Sequence, residues 1–351
     1  MSRLIDRADE MRAVVVERPG AAGLRRVPRP EPGPGEVLVR VGAAGICGSD
    51  VEVLEGRRPA HYVRYPIIPG HEWAGTVEAV GPDVENIGEG AAVVAEGFRA
   101  CGECARCREG RTNLCAAEYA ETGFTHAGAF ADFLCVPAHL VHELPPGSDL
   151  AAAALLEPAA CVAQGLLEVD LRPGMTVAVV GSGTLGLLAV ALLSRVSPAR
   201  LALVGTRAPR LALGVALGAT ETWNVRRDQR LEAGFGLDAD FDLVFEAAGT
   251  VDGARSAIEL ARRGGTVVLE GISGQPSGMD ADAVVLGHMR VQGIFGASRN
   301  AWRWVVELFA DGVLDTKPLV SHSFPLEQHD EAFTALGDRS GDALKVQLTP
   351  D

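Results

Sequence analysis

The chain has 351 residues, a formal net charge of −14 at pH 7 and a pI near 5.1. This acidity argues against a nucleic-acid partner. No apolar run reaches the ~18–20 residues of a membrane span, so we expect a soluble cytoplasmic protein. Only two lysines occur, Lys317 and Lys345, which nearly excludes Schiff-base and P-loop chemistry. At about 150 residues per domain, the length favours two domains.

Residues 12–100 predict a small, irregular, β-rich domain. Short alternating segments at 36–41 and 75–80 are separated by turn clusters rich in Gly and Pro, a pattern typical of such domains. The sequence GICGSD (45–50) follows the first segment, and PGHE (69–72) precedes the second.

These two sequences, with Leu156-Glu157-Pro158 further on, carry residue types that ligate metals. A thiolate (Cys47), an imidazole (His71) and one or two carboxylates (Glu72, Glu157) suit a catalytic zinc that keeps one position for water or a substrate oxygen. Taken singly, each has a plainer interpretation: a cysteine that packs, a surface ion pair between His71 and Glu72, and a glutamate that caps a helix.

Cys101, Cys104, Cys107 and Cys115 follow the spacing C-x2-C-x2-C-x7-C. Thiolates this close together can converge on one ion, and four of them close the coordination of tetrahedral Zn²⁺. Such a zinc would hold the lobe 98–116 together and do no chemistry. The odd total of seven cysteines and the absence of a signal peptide disfavour disulfides. An iron–sulfur cluster would favour a shorter last gap, and a reduced cysteine cluster is the remaining alternative.

From about residue 160 to 296, strand-like and helix-like segments alternate. The strand-like segments are 176–181, 200–205, 241–249 and 265–271, and helical segments include 184–196 and 210–219. This alternation predicts an α/β domain with a doubly wound parallel sheet. An amphipathic stretch at 301–315 and a short mixed tail follow.

The motif G-x-G-x-x-G is matched by Gly181, Gly183 and Gly186, with Thr184 and Leu185 leading into a helix. The first glycine permits a tight turn, the second lets the backbone approach a pyrophosphate, and the third lets helix pack on strand. Between a strand and a helix, the motif predicts a dinucleotide site. An ordinary glycine turn is the alternative.

The next strand ends at Gly205, where an NAD site usually has a carboxylate for the ribose hydroxyls shortly afterwards. Here glycine removes the repulsion that a carboxylate would exert on a phosphate. Thr206 supplies a hydroxyl donor, and Arg207 supplies a guanidinium that suits phosphate. Arg210 is placed to assist. The sequence therefore favours NADP(H) over NAD(H). The alternative is that Arg207 is a solvated loop residue and that the enzyme uses NAD or both.

In order along the chain, GICGSD, GHE, the four-cysteine lobe, LEP and GxGxxG resemble the zinc-containing medium-chain dehydrogenase/reductase family, which includes alcohol, sorbitol and threonine dehydrogenases. The resemblance covers residues 12–349. It implies a GroES-like catalytic domain (1–160 and 297–351), a Rossmann domain (161–296) and an active site in the cleft between them. It also implies hydride transfer between a nicotinamide cofactor and a secondary alcohol or ketone, assisted by zinc.

The GHE and LEP forms look like the polyol and threonine branch of this family. By position, the implied ligands of the catalytic zinc are Cys47, His71, Glu72 and, directly or through water, Glu157. Ser49 matches the hydroxyl that accepts the alcohol proton, and Asp50 matches an acid that orients the site. Glu52 is a departure, because relatives often carry His there as the solvent end of the proton relay.

The resemblance also predicts the surroundings of the site. Leu54, Phe124 and His126 are expected to line the substrate cleft with Ser49, and Ile294 and Phe295 are expected beside the cofactor. The ligand set favours a small polyol or cyclitol substrate. A homodimer or homotetramer is implied, in which the edge strand near 291–296 pairs with its copy.

Two alternatives use the same fold. Metal-independent NADPH quinone or enoyl reductases lack both metals, and a non-catalytic relative would have a broken zinc set or no Ser49. A metal analysis would discriminate between them, because only the dehydrogenase is expected to hold about two zincs per chain.

Overall fold

A computed structural model describes residues 10–227, 240–338 and 343–350 of the chain. The chain divides into two compact units, Met1–Glu157 with Ser298–Asp351, and Pro158–Ala297. The first unit is therefore built from two stretches of sequence that flank the second.

Within the described residues, the strands are β1 (Glu10–Arg18), β2 (Ala21–Pro28), β3 (Glu36–Gly45), β4 (Glu72–Val80), β5 (Ala92–Ala95), β6 (Phe133–Pro137), β7 (Val141–Glu143), β8 (Thr176–Val180), β9 (Arg200–Gly205), β10 (Glu221–Asn224), β11 (Phe241–Glu246), β12 (Ala261–Leu269), β13 (Arg290–Gly293), β14 (Val320–Pro325) and β15 (Lys345–Thr349). The α-helices are α1 (Gly48–Glu55), α2 (Ala105–Arg108), α3 (Leu150–Ala153), α4 (Leu156–Leu167), α5 (Thr184–Leu193), α6 (Ala208–Ala216), α7 (Val251–Leu260), α8 (Ala281–Leu286), α9 (Arg299–Ala310) and α10 (His329–Gly337).

The first unit is rich in β-structure. Strands β1 and β2 form an antiparallel pair, and a seven-stranded sheet has the order β14-β15-β3-β4-β5-β7, with β6 also paired to β3. Alternate residues of β3, Val37, Val39 and Val41, lie in its apolar core, as the period of two along a strand requires. The register of β3 and β4 pairs Gly45 with Glu72, so the end of one strand lies beside the start of the other.

The second unit is the predicted parallel sheet. Its six strands run parallel in the order β10-β9-β8-β11-β12-β13. Numbered within the unit, this order is 3-2-1-4-5-6, that of a doubly wound dinucleotide-binding fold. The apolar helix α5 is buried along most of its length, which explains why its sequence lacks a polar face.

Several boundaries differ from the predicted ones for local reasons. β12 starts at Ala261 rather than 265, because Ala261 already pairs with Phe241 before the register shifts. β11 ends at Glu246 rather than near 249, because the Glu246 carboxylate accepts the N–H groups of Ala248 and Gly249 and turns the chain.

One helical stretch, Leu150–Leu167, is long and apolar enough to cross a membrane by length and composition. The expectation that no segment reaches this length was therefore wrong. The stretch is 72% buried inside the protein, which is the environment of a core helix.

Candidate active site and metal centres

The loop after β3 and the start of β4 carry three candidate ligands of a reactive metal. Cys47 precedes α1, and its backbone N–H donates to Oδ2 of Asp50 at 2.8 Å. His71 and Glu72 follow Gly70, whose φ of +96° favours glycine and where a Cβ would lie 2.5 Å from Phe130. Because β3 and β4 are paired at this end, the two loops meet.

The ligand atoms of Cys47, His71 and Glu72 lie within 4.8 Å of one another. His71 and Glu72 are buried, and Cys47 is half-buried. One sulfur, one imidazole nitrogen and one carboxylate oxygen are a donor set that fits zinc with a further position for substrate. Among the described residues, Glu157 is not part of this close group, but its negative charge helps to raise the pKa of His71.

Asp50 lies next to the His71 ring and supports it. Its Oδ1 lies 3.4 Å from Nδ1 of His71 and also accepts the N–H of Gly70. Burial disfavours the charged imidazole, but the Asp50 carboxylate outweighs this effect and raises the pKa of His71 well above its usual value. A carboxylate in this place fixes the ring and makes a metal-binding histidine more basic.

Lys345, which sequence reasoning set aside, contacts Glu72. Its Nζ lies 2.5 Å from Oε2 of Glu72, and the two side chains are 5% and 2% exposed. Nζ also donates to the carbonyl oxygen of Ile46 at 3.4 Å. A Cβ at Gly45 would lie 2.3 Å from the same Oε2, so the glycine leaves room for the carboxylate. The one sequence signal for this contact was that a lysine stands at the start of an apolar strand.

The sequence analysis also did not predict a cluster of polar side chains near His71, which is formed by Arg58, Tyr119 and Glu121. The Phe124 ring lies 4.7 Å from the His71 ring, and the guanidinium of Arg58 lies 3.7 Å from the Phe124 ring centre. Arg58 donates to the hydroxyl of Tyr119 at 3.0 Å and lies 3.7 Å from Glu121. The Tyr119 hydroxyl donates to Glu121, and burial raises the pKa of Glu121 to about 7.

The expected proton-relay residues lie on α1. Ser49 is half-buried in its first turn. Glu52, at the departure position, lies 3.8 Å from Arg57 and 4.0 Å from Arg58. Leu54 packs in the same apolar cluster as Phe124, so two of the expected substrate-lining residues are neighbours.

The four cysteines of the lobe bring their sulfur atoms within 4.8 Å of one another. Backbone N–H groups point at these sulfurs from 3.4–3.5 Å and come from Cys101, Cys104, Cys107, Ala116 and Ala117. These donors lower the pKa of Cys104 to about 6, whereas burial raises that of Cys107 to about 12. All seven cysteines of the chain are free of disulfides, and the four clustered sulfurs fit a zinc with closed coordination.

The glycine loop joins β8 to α5, which begins with Thr184 and Leu185. Gly181 has a φ of +112°, and a Cβ there would lie 2.6 Å from the backbone nitrogen of Ala248. A Cβ at Gly186 would lie 1.8 Å from the carbonyl oxygen of Gly181, whereas a Cβ at Gly183 would meet no atom within 4 Å. The first and third glycines are thus required by packing, and the second borders open space, as a pyrophosphate site needs.

The end of β9 has a second reason to be glycine. A Cβ at Gly205 would lie 2.4 Å from Oγ of Ser182 in the glycine loop, so a larger residue here would require the Ser182 side chain to move. Thr206 is exposed, and Arg207 immediately precedes α6. Arg210 lies three residues later, in the first turn of α6.

Ile294 and Phe295 directly follow β13. The N–H of Ile294 donates to the carbonyl oxygen of Leu269 at 2.9 Å, which continues the parallel pairing. Ile294, Gly205 and the glycine loop therefore all lie at the carboxyl edge of the sheet, where this type of fold binds its ligands.

Known proteins match both units. The sequence profile of the alcohol dehydrogenase GroES-like domain matches residues 33–146, and that of the zinc-binding dehydrogenases matches residues 184–311. L-threonine 3-dehydrogenase of Bacillus subtilis (strain 168) is 33% identical over 343 residues, 96% of this chain and 98% of that protein. The chain belongs to the zinc-containing medium-chain dehydrogenase family. The predicted family and the GroES-like plus Rossmann fold are thereby confirmed.

This medium-chain dehydrogenase also resembles the sorbitol dehydrogenase of B. subtilis (strain 168), with 31% identity over 97% of the chain and 98% of that protein. A zinc-binding dehydrogenase structure from Sinorhizobium meliloti 1021 bound to NADP has a TM-score of 0.89 and 31% identity, covering 97% of this chain and 99% of that one. An alcohol dehydrogenase from E. coli CFT073 complexed with NADH has a TM-score of 0.88 and 26% identity over the same shares. The family therefore supports zinc and a nicotinamide cofactor, and these two structures hold NADP and NADH, respectively.

Proposed function

We propose that the protein is a zinc-dependent dehydrogenase that transfers a hydride between NADP(H) and a secondary alcohol or ketone with neighbouring hydroxyl groups, such as a polyol or cyclitol. The observation that carries the proposal is the convergence of Cys47, His71 and Glu72, whose ligand atoms lie within 4.8 Å. A non-catalytic relative would have lost this set.

Zinc held by these side chains would act as a Lewis acid and make an alcohol proton acidic near neutral pH. Ser49, two residues beyond Cys47, is the proposed first member of the relay, which accepts that proton and passes its own hydroxyl proton on towards solvent. Asp50 fixes the His71 ring, and the glycine loop would hold the pyrophosphate so that the nicotinamide is oriented for hydride transfer.

Metal analysis with activity tests the zinc proposal. We expect about two zincs per chain, one for each ligand set. Removal of the ion held by Cys47, His71 and Glu72 with a chelator should abolish turnover, and added Zn²⁺ should restore it. Near-normal turnover in protein shown to hold no zinc would overturn the proposal in favour of a metal-independent reductase.

The wall next to His71 supports a substrate with several hydroxyls. It holds a buried carboxyl group (Glu121) with a half-buried guanidinium (Arg58) and phenol (Tyr119), and a site that hydrogen-bonds its substrate discriminates strongly against analogues without the matching groups. A panel of polyols, cyclitols, amino alcohols and simple alcohols tests this point. A higher kcat/KM for simple alcohols than for any polyol would contradict it.

The residues at the end of β9 support NADP(H). Each charge-assisted hydrogen bond to a 2′-phosphate is worth ~1.5–3 kcal/mol, or roughly 10- to 100-fold in affinity. Arg207→Ala should therefore weaken NADP binding by that factor and leave NAD binding nearly unchanged, whereas Arg263→Ala, an exposed arginine of the same unit, should change neither. Gly205 is left intact because of its contact with Ser182. A higher kcat/KM with NAD than with NADP in the unmodified enzyme would refute the preference.

A homodimer or homotetramer is proposed from the edge of the second sheet. β13 ends the strand order, and the neighbouring side chains of Val285 and Leu286 are 75% and 74% exposed. An uncovered edge with apolar neighbours invites pairing with another chain. Sedimentation should show an oligomer that Val285→Glu with Leu286→Glu weakens. A monomer at micromolar concentration would contradict the proposal.

A further inference from the structure

The buried ion pair between Lys345 and Glu72 has no part in the function proposed so far. Transferring an ammonium and a carboxylate from water to the interior costs several kcal/mol per ion, and apolar replacements of buried pairs are often neutral or stabilising. Stability alone therefore gives a weak reason for this pair. Its position gives a stronger one, because one partner is a candidate zinc ligand.

The position of Lys345 is fixed by the sheet. β15 pairs with β3 so that Gln347 lies opposite Gly45, and the N–H of Ile46 donates to the carbonyl oxygen of Val346. These bonds hold the start of β15 beside the loop that carries Cys47. The lysine therefore reaches Glu72 from a neighbouring strand whose register leaves it little freedom.

The contact distinguishes the two oxygens of Glu72. Nζ of Lys345 lies 2.5 Å from Oε2, and the missing side chain at Gly45 leaves space for that oxygen. The ammonium is therefore placed on Oε2 rather than on Oε1. The same ammonium is attracted by the charges of Cys47 and Glu157, so it offsets part of the negative charge that the site collects.

We propose that Lys345 is a positioning residue of the reactive metal site, which holds Oε2 of Glu72 so that the carboxylate offers the ion a single oxygen in a fixed orientation. The inference rests on the proposed zinc-dependent function. It assigns to Lys345 the support for Glu72 that Asp50 gives to His71.

Zinc affinity and the spectrum of the Co²⁺-substituted protein test the proposal. Lys345→Met keeps the length and removes the charge. We expect this variant to bind zinc at this site about 10–100-fold more weakly, which is the usual effect of losing a residue that supports a metal ligand. The affinity is measured by competition with a chelator. The ligand-field bands of Co²⁺ bound at this site should also change. Co²⁺ bound to the four cysteines of the lobe contributes the same bands in every variant, so a difference spectrum removes them.

Two further variants give the comparison its controls. Lys345→Arg keeps a cationic donor and should restore most of the affinity and the parental spectrum. Lys317→Met removes the other lysine, which is exposed and paired with Asp149, and should change neither readout. Parental zinc affinity and an unchanged cobalt spectrum in Lys345→Met would overturn the proposal.

Gly45→Ala provides a second route if Lys345→Met does not fold. The added methyl group points at Oε2 of Glu72, so it should displace the carboxylate while leaving every charge in place, and zinc binding should weaken in the same direction. Unchanged zinc affinity in this variant would overturn the proposal. The zinc content and turnover of the unmodified protein report separately on the proposed function, so the two failures are distinguishable.

Discussion

The two candidate metal centres that contain cysteine are supported by their surroundings in different ways. In the lobe, backbone N–H groups from the same short segment point at the sulfurs. In the reactive site, the support comes from side chains, since Asp50 contacts His71 and Lys345 contacts Glu72. Backbone support depends on the loop conformation and hardly on side-chain identity. Side-chain support can be altered by one substitution, so it lets the reactivity of a metal be adjusted without changing its ligands.

The largest expected effect is on the reactive site. His71→Ala should reduce turnover to background, because the imidazole ligand is lost, while dinucleotide binding measured by fluorescence titration stays largely intact. Zinc content should fall from about two to about one per chain. His322→Ala, at an exposed position, is the control. If His71→Ala kept both zincs and its kcat, the assignment of the reactive centre would be wrong.

Ser49→Ala tests the proton transfer and leaves the ligands alone. We expect kcat to fall on the order of 10²–10⁴-fold, the usual contribution of one positioned acid–base group, with zinc content unchanged. A deuterated substrate shows whether hydride transfer limits the rate. An unchanged rate under that condition would remove Ser49 from the relay.

Cys104→Ser tests the lobe. Three thiolates leave the ion incompletely held, so the unfolding free energy should fall by at least ~2 kcal/mol and the thermal midpoint by about 4–8 °C. Turnover per bound reactive zinc should change much less than in His71→Ala. Cys135→Ala, outside the lobe, is the matched control. Retention of the full zinc content and midpoint in Cys104→Ser would show that the lobe does not depend on its metal.

The smallest expected effect concerns Glu121, a buried carboxyl group without the close lysine that Glu72 has. Burial raises its pKa from about 4.5 to about 7, so the folded protein holds this proton more tightly than the unfolded chain. Stability should therefore fall as the pH rises from about 5 to 8, by about 1–3 kcal/mol. Glu121→Gln lacks this titration. Its free energy of unfolding, measured with urea, should therefore rise relative to that of the parent protein over this pH range. A constant difference between the two proteins would contradict this.

The features predicted from sequence are those whose residues are close along the chain. The four cysteines lie within one short segment, and the glycine loop is flanked by its own strand and helix, so spacing and local context identify both. The parallel sheet was predicted for the same reason, since each strand is followed by an amphipathic or apolar helix. The boundary errors at β11 and β12 arose from a side-chain turn at Glu246 and a register shift at Ala261, which period alone does not show.

The supporting contacts of the reactive site could not be predicted in this way. Lys345 and Glu72 are 273 positions apart, and only the pairing of β15 with β3 brings them together. Arg58 and Glu121 meet through the folding of two loops around Phe124. Lysine chemistry was excluded because the chain has so few lysines. That reasoning considered lysine as a nucleophile or a phosphate ligand and overlooked its use as a buried counter-ion.

The distance of Lys345 from Glu72 along the chain has a consequence for biosynthesis. A ribosome adding ~5–20 residues per second takes roughly 14–55 s to extend the chain from Glu72 to Lys345, 273 positions later, and the whole second unit is made in that interval. The four-cysteine lobe can capture its ion as soon as its own short segment has emerged. The contact between Lys345 and Glu72 must wait for β15, so we expect a nascent chain to bind metal in its lobe long before the proposed reactive site is complete.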